Sequence, residues 1–153
     1  MSYQWALALA LHQLGTIVWV GGMFFAHIAL RPAVGELLEP VQRMPLMLRV
    51  FDRFFRWVWA AIILLWASGL WIFLSLYGGK AGLYVHLMMG TAALMTALFL
   101  VVWFFPYRTM KAAVAAEDWP GAAKSLARIR VIILTNLLLG LVTTVLGVAG
   151  PKV

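Results

Sequence analysis

Four stretches of this chain, Tyr3 to Leu30, Trp57 to Gly79, Ala81 to Tyr107 and Val131 to Pro151, contain no Lys, Arg, Asp or Glu. About 20 apolar residues suffice to cross a bilayer as a helix, so all four are long enough to span. Lipid offers no hydrogen-bond partners, and a segment that crosses it must satisfy its own backbone. For segments of this length that means helix. The expected fold is therefore an all-α, integral membrane, up-down-up-down four-helix bundle. It forms a single four-span domain over residues 1–153, with spans about 4–30, 55–78, 82–107 and 126–149. Hydrophobic residues make up 65% of the chain and charged ones 11%, which leaves too little polar sequence to build a soluble domain beside the spans. The first apolar run is longer than a signal-peptide core and no Lys or Arg precedes it, so it is read as a retained span.

The net charge of +7 admits a nucleic-acid reading until the charges are placed. Arg31, Arg43, Arg49, Arg53 and Arg56 lie in or beside the first connection, and Arg108, Lys111, Lys124, Arg128 and Arg130 in or beside the third. Ten of the twelve basic residues thus fall on one side of a four-span protein, with Lys80 and Lys152 on the other. The positive-inside rule puts that basic side in the cytoplasm and both termini outside, in the periplasm of a bacterial inner membrane. The basic excess is then a record of topology and of contact with anionic lipid, and no nucleic-acid partner is expected.

The chain has no cysteine, which excludes disulfides, iron–sulfur clusters, thiolate metal sites and covalently attached haem. A metal here must be held by His, Met, Asn or carboxylate ligands. Prolines and glycines organise the connections. Arg31-Pro32 is expected to close the first helix, Pro40 and Pro45 to punctuate a cytoplasmic connection, and Phe105-Pro106 to come near the end of the third helix. Asp118-Trp119-Pro120-Gly121 is expected to turn the chain, with the amphipathic run from Ala122 to Arg130 leading into the fourth helix.

Ionisable side chains inside lipid are costly and concentrate at functional sites. Two histidines fall at comparable depth in helices that run the same way: His12 two to three turns into the first span and His86 one to two turns into the third. His27 lies fifteen residues beyond His12, about 22 Å deeper, and belongs to the opposite boundary. His12, Gly15, Trp19, Gly22 and Ala26 recur along one helical stripe, and His86, Gly90, Ala93 and Ala97 along another. Small residues let membrane helices approach closely, and they equally leave room for a flat macrocycle beside an imidazole. The expectation is a haem held between helices 1 and 3, with His12 and His86 as metal ligands and Gly15, Trp19 and Gly90 lining it.

The residues also resemble a family. Leu11-His12 followed by Trp19-Val20-Gly21-Gly22-Met23-Phe24, then Arg49-Val50-Phe51 leading through Arg53 and Arg56 into Trp66-Ala67-Ser68-Gly69-Leu70, and the histidine that opens the third helix, are similar to the copper resistance protein D family. The same outline resembles the four-helix protoporphyrinogen oxidases of the HemJ type. Resemblance to the second group implies b-type haem on the first-helix histidine, the position of His12, and a functional lysine near the start of the third helix. This chain has His86 there, with Lys80 earlier in the turn. Resemblance to the first group implies a role in copper resistance or uptake.

Three readings follow. The first is a haem b membrane protein engaged in electron transfer; if catalytic it would be an oxidoreductase acting on a quinone or a porphyrin substrate. The second is a copper-binding or copper-transporting protein using His12, His86 and nearby Met or Asn groups. The third is a structural membrane subunit, alone or as a homo-oligomer, whose histidines only pack. Most of the eight methionines are expected to fill the core or face lipid, although Met23 and Met95 could line a path. Asn136, Thr143 and Thr144 are expected to hydrogen-bond between helices, and Asp52 to pair locally with the Arg49, Arg53 and Arg56 cluster.

Overall fold

The computed structural model describes residues 3–152. Its four long helices, each apolar and long enough to cross a membrane, are α1 (Tyr3–Leu37), α2 (Pro40–Tyr77), α3 (Leu83–Ala115) and α4 (Trp119–Ala149). There is no strand among the described residues. Neighbouring helices run antiparallel, as the pairing of side chains along them shows. His12 meets Ser68 and Gly15 meets Leu65 between α1 and α2, while Tyr84, Met88 and Thr91 meet Gly150, Gly147 and Thr143 between α3 and α4. Closest packing is between α1 and α2 and between α3 and α4, with α4 also touching α1 through Gly140 and Val20.

The helices run further toward the basic end than the spans require, and their prolines are absorbed rather than obeyed. Pro32 does not stop α1. It follows a widened π turn, Ala26–Leu30, and the helix continues to Leu37. A π turn changes the local hydrogen-bond spacing, so the missing proline N–H falls where the ladder is already interrupted. Pro40 starts α2 at its first position, where its N–H would have had no partner, and Pro45 lies one turn further on inside the helix. The first connection is thus only Leu38 and Glu39. Phe105-Pro106 does break α3, with an inner segment, Pro106–Ala115, resuming directly. Asp118 caps α4 by accepting from the Gly121 N–H at 3.0 Å, and the preceding Glu117 takes a left-handed φ of 55° to close the turn.

The buried side chains gather in the half of the bundle nearest the basic connections. Phe55 is at the centre: it stacks on Phe51 at 5.2 Å and meets Phe99 and Tyr107 edge-on at 5.5 and 5.1 Å. Met44, Met47 and Met110 close the layer below it, so these methionines are core, as expected from their flexible thioethers. Toward the other end burial is sparse, with Gly15, Ser68 and Gly140 among the residues that are enclosed, and large side chains such as Leu7, Leu74, Leu83 and Val148 face outward.

Candidate metal-binding site

His12 is on the seam between α1 and α2, half-buried, with its ring against Gly69. A β-carbon at Gly69 would come within 3.1 Å of the imidazole Cε1, so the glycine makes the room that the ring occupies. The Ser68 hydroxyl lies 2.6 Å from the Leu64 carbonyl of its own helix and 3.0 Å from His12 Nδ1, so it ties the imidazole to α2. Ser68 thereby fixes the orientation of the ring, as a hydrogen-bonding partner behind a metal-ligating histidine does.

His86 is placed differently. Its Nδ1–H donates to the Gly82 carbonyl of its own helix at 3.2 Å, and its ring stands edge-on to Phe73 of α2 at 5.9 Å. His86 itself is exposed, as are Gly90, Ala93 and Ala97. Gly90 has no neighbour within 4 Å of where a β-carbon would stand. The stripe on α1 therefore faces inward, with Gly15 and Trp19 buried, while the stripe on α3 faces away from the bundle. The face of α3 that meets α4 carries Tyr84, Met88, Thr91 and Met95 instead.

This corrects the expectation of a haem between helices 1 and 3. Ligation by both imidazoles needs them on facing surfaces with a slot between, and the two rings are turned to different partners. Trp19 packs edge-on against Phe99 at 6.5 Å, and the space beside it is a cavity of about 10 Å³, the size of one water molecule and far below that of a macrocycle. The residues present do not fit a haem. Among the described residues there is also no group of three or more His, Asp or Glu side chains that could hold a metal ion.

The fourth helix meets its expectation in part. Asn136 donates to the Met95 carbonyl at 3.1 Å and Thr143 to Thr91 at 2.7 Å, whereas Thr144 bonds only the Gly140 carbonyl of its own helix. Asp52 does not pair with the arginines through its carboxylate. It accepts from the Tyr107 hydroxyl and lies 3.5 Å from Lys111, both on α3, while Arg56 reaches only its backbone carbonyl. Spacing along one helix could not show this link, because Asp52 and Tyr107 are 55 residues apart. Trp66, which donates to Thr96 at 3.1 Å, is a second cross-helix bond that the sequence did not signal.

A multi-pass helical membrane protein with an imidazole held between its first two helices is the class these features define. The family follows from comparison: the copper resistance protein D (CopD) model matches residues 48–150, and the chain belongs to that family. The match takes in α2 from Leu48 onward, α3 and α4, and leaves His12 and the rest of α1 outside it. No curated protein and no solved structure matches the chain.

Proposed function

We propose that this chain binds copper in the outer half of a bacterial inner membrane and passes it into the bilayer, with His12 Nε2 as the first ligand. The observation that carries the reading is the Leu64–Ser68–His12 hydrogen-bond chain, which holds an imidazole in a fixed orientation inside the bundle. Family membership supplies the identity of the metal, and the soft side chains deeper in the bundle, Met23 and Met95, suit its reduced form. The excess of basic residues at the opposite end supports placing His12 on the outer side. His86 exposes its free Nε2 at the rim of the same end and acts as an outlying imidazole, outside the His12 coordination sphere.

Purified chain in detergent, titrated with Cu(I) against a chromophoric chelator, tests it. Wild type is expected to take up copper, His12→Ala to weaken that uptake at least 10-fold, and His86→Ala to change it less than 3-fold. The magnitudes follow from losing a ligand as against a peripheral group. A copper-free protein carrying a stoichiometric haem spectrum would overturn the proposal, as would unchanged copper uptake in His12→Ala.

A further inference from the structure

Polar side chains that face lipid along the spans are mostly satisfied by their own helix. Thr135 is exposed and donates to the Val131 carbonyl one turn back at 3.1 Å, and His86, nearer the rim, bonds the Gly82 carbonyl in the same way at 3.2 Å. Gln13 is different. It is exposed on α1, and the bonds of its turn, Thr16 to the His12 carbonyl and His12 to Ser68, pass it by. By the helical rise it stands about 15 Å below Tyr3, well inside a hydrocarbon layer about 30 Å thick. A primary amide carries two donors and an acceptor oxygen, and acyl chains answer none of them. Among the described residues no side chain or carbonyl answers them either.

The surroundings of the amide leave room for a helix. Ala6, Ala10, Ile17 and Gly21 share its exposed face of α1. At Gly21 nothing stands within 4 Å of where a β-carbon would be, and the two alanines project no more than a methyl group. Another backbone can therefore come close above and below the amide.

What meets Gln13 must offer a donor and an acceptor at its own depth, and a second copy of this chain does so by symmetry. Copies of one chain insert in the same direction, so a twofold axis between them stands along the membrane normal and brings each residue opposite itself. A charged group would repel its own image across that axis. An amide complements it, because the Nε2–H of each Gln13 can donate to the Oε1 of the other.

We propose that the chain forms a parallel twofold dimer along this face of α1, with the two Gln13 amides hydrogen-bonded to each other across the axis. His12 leaves α1 on another side, toward Ser68 and Gly69 of α2, so the pairing leaves the imidazole seam as it is and does not depend on the metal reading.

The lack of cysteine makes the face directly testable. Ala10→Cys puts one thiol beside the proposed axis, and Ala93→Cys puts one on the exposed face of α3. Treated in membranes with a short thiol-to-thiol cross-linker, Ala10→Cys is expected to give a product of twice the chain mass while Ala93→Cys stays monomeric. Single-molecule photobleaching in vesicles should show the dissociation constant rising about 10-fold in Gln13→Leu, the worth of two membrane hydrogen bonds. Gln13→Asn, which keeps an amide, is expected to hold the dimer. Leucine suits lipid, so an unchanged melting temperature of Gln13→Leu in detergent shows that the loss is one of pairing and not of fold. A monomeric wild type would overturn the proposal, as would equal cross-linking at the two cysteine positions or a dimer undiminished in Gln13→Leu. An Ala10→Cys product of a mass other than twice the chain would overturn it too, by assigning the face to a different membrane protein.

Discussion

The two halves of the bundle are built on different principles. Toward the basic connections, aromatic rings interlock in three dimensions: Trp59 and Trp103 meet edge-on at 5.9 Å, Trp103 stacks on Tyr107 at 5.2 Å, and Phe55 touches both networks. Toward the other end the contacts are small residues and single hydrogen bonds, such as His12 to Ser68, Thr143 to Thr91 and the Tyr77–Tyr84 hydroxyl pair at 2.8 Å. In lipid there is no hydrophobic force between helices, because the acyl chains are as apolar as leucine. Helices then associate through close packing or through polar bonds, and this molecule uses one at each end. Interlocked rings give a rigid base. Isolated hydrogen bonds give directional contacts that fix single side chains, including the imidazole, without closing the outer half around them.

The sharpest way to break this contrast is at its centre. Phe55→Ala removes the ring that joins the aromatic contacts and is expected to destabilise the protein by about 3 kcal/mol, read from unfolding in a denaturing detergent series. If the loss were no greater than for a half-exposed outer residue, the inner half would not be the rigid base. Gly15→Leu tests the seam at the level of the site. A β-carbon there would be 2.8 Å from Leu65 Cγ and 3.3 Å from the Ala61 carbonyl, so α1 must shift from α2, at a cost of about 1–3 kcal/mol and with copper binding reduced.

Ser68→Ala separates orientation from scaffold. Stability should fall by only about 0.6 kcal/mol, typical of one membrane hydrogen bond, while Cu(I) affinity falls about 10-fold, in line with loss of an outer-sphere partner. Equal small effects on both would show that Ser68 does not set the imidazole. The smallest effect is expected at Gly90→Ala, where no atom lies within 4 Å of the new methyl group. Helix propensity should leave stability unchanged or raise it by at most about 1 kcal/mol, with copper binding unaltered. A marked loss there would mean that the outward stripe of α3 is covered by something in the membrane.

Several elements were legible in advance for local reasons. An uncharged run of twenty or more residues has few options in lipid, so the four helices and their all-α class follow from composition along the chain. The break at Asp118 was equally local, although the structure makes it the cap of a helix that already starts at Trp119 where the sequence reading expected a turn through Gly121. Prolines misled because an expected stop ignores what a helix does to accommodate them: the π turn before Pro32 is invisible to a rule about one residue. Asp52 misled for the opposite reason. Its neighbours in sequence are arginines, but a carboxylate pairs with what is near in space, and α3 brings Tyr107 and Lys111.

The histidines mark the boundary between the two kinds of knowledge. Depth is a property of one chain segment, fixed by a rise of about 1.5 Å per residue, and the sequence determined it for His12 and His86 alike. Direction is not. In water the polar face of a helix is marked by its residues, whereas in lipid both faces are apolar and the stripes of α1 and α3 look the same. Only the packing of four helices decided that Gly15 and Trp19 turn inward while Gly90 and Ala93 turn out, and hence that one imidazole is held inside the bundle and the other stands at its rim.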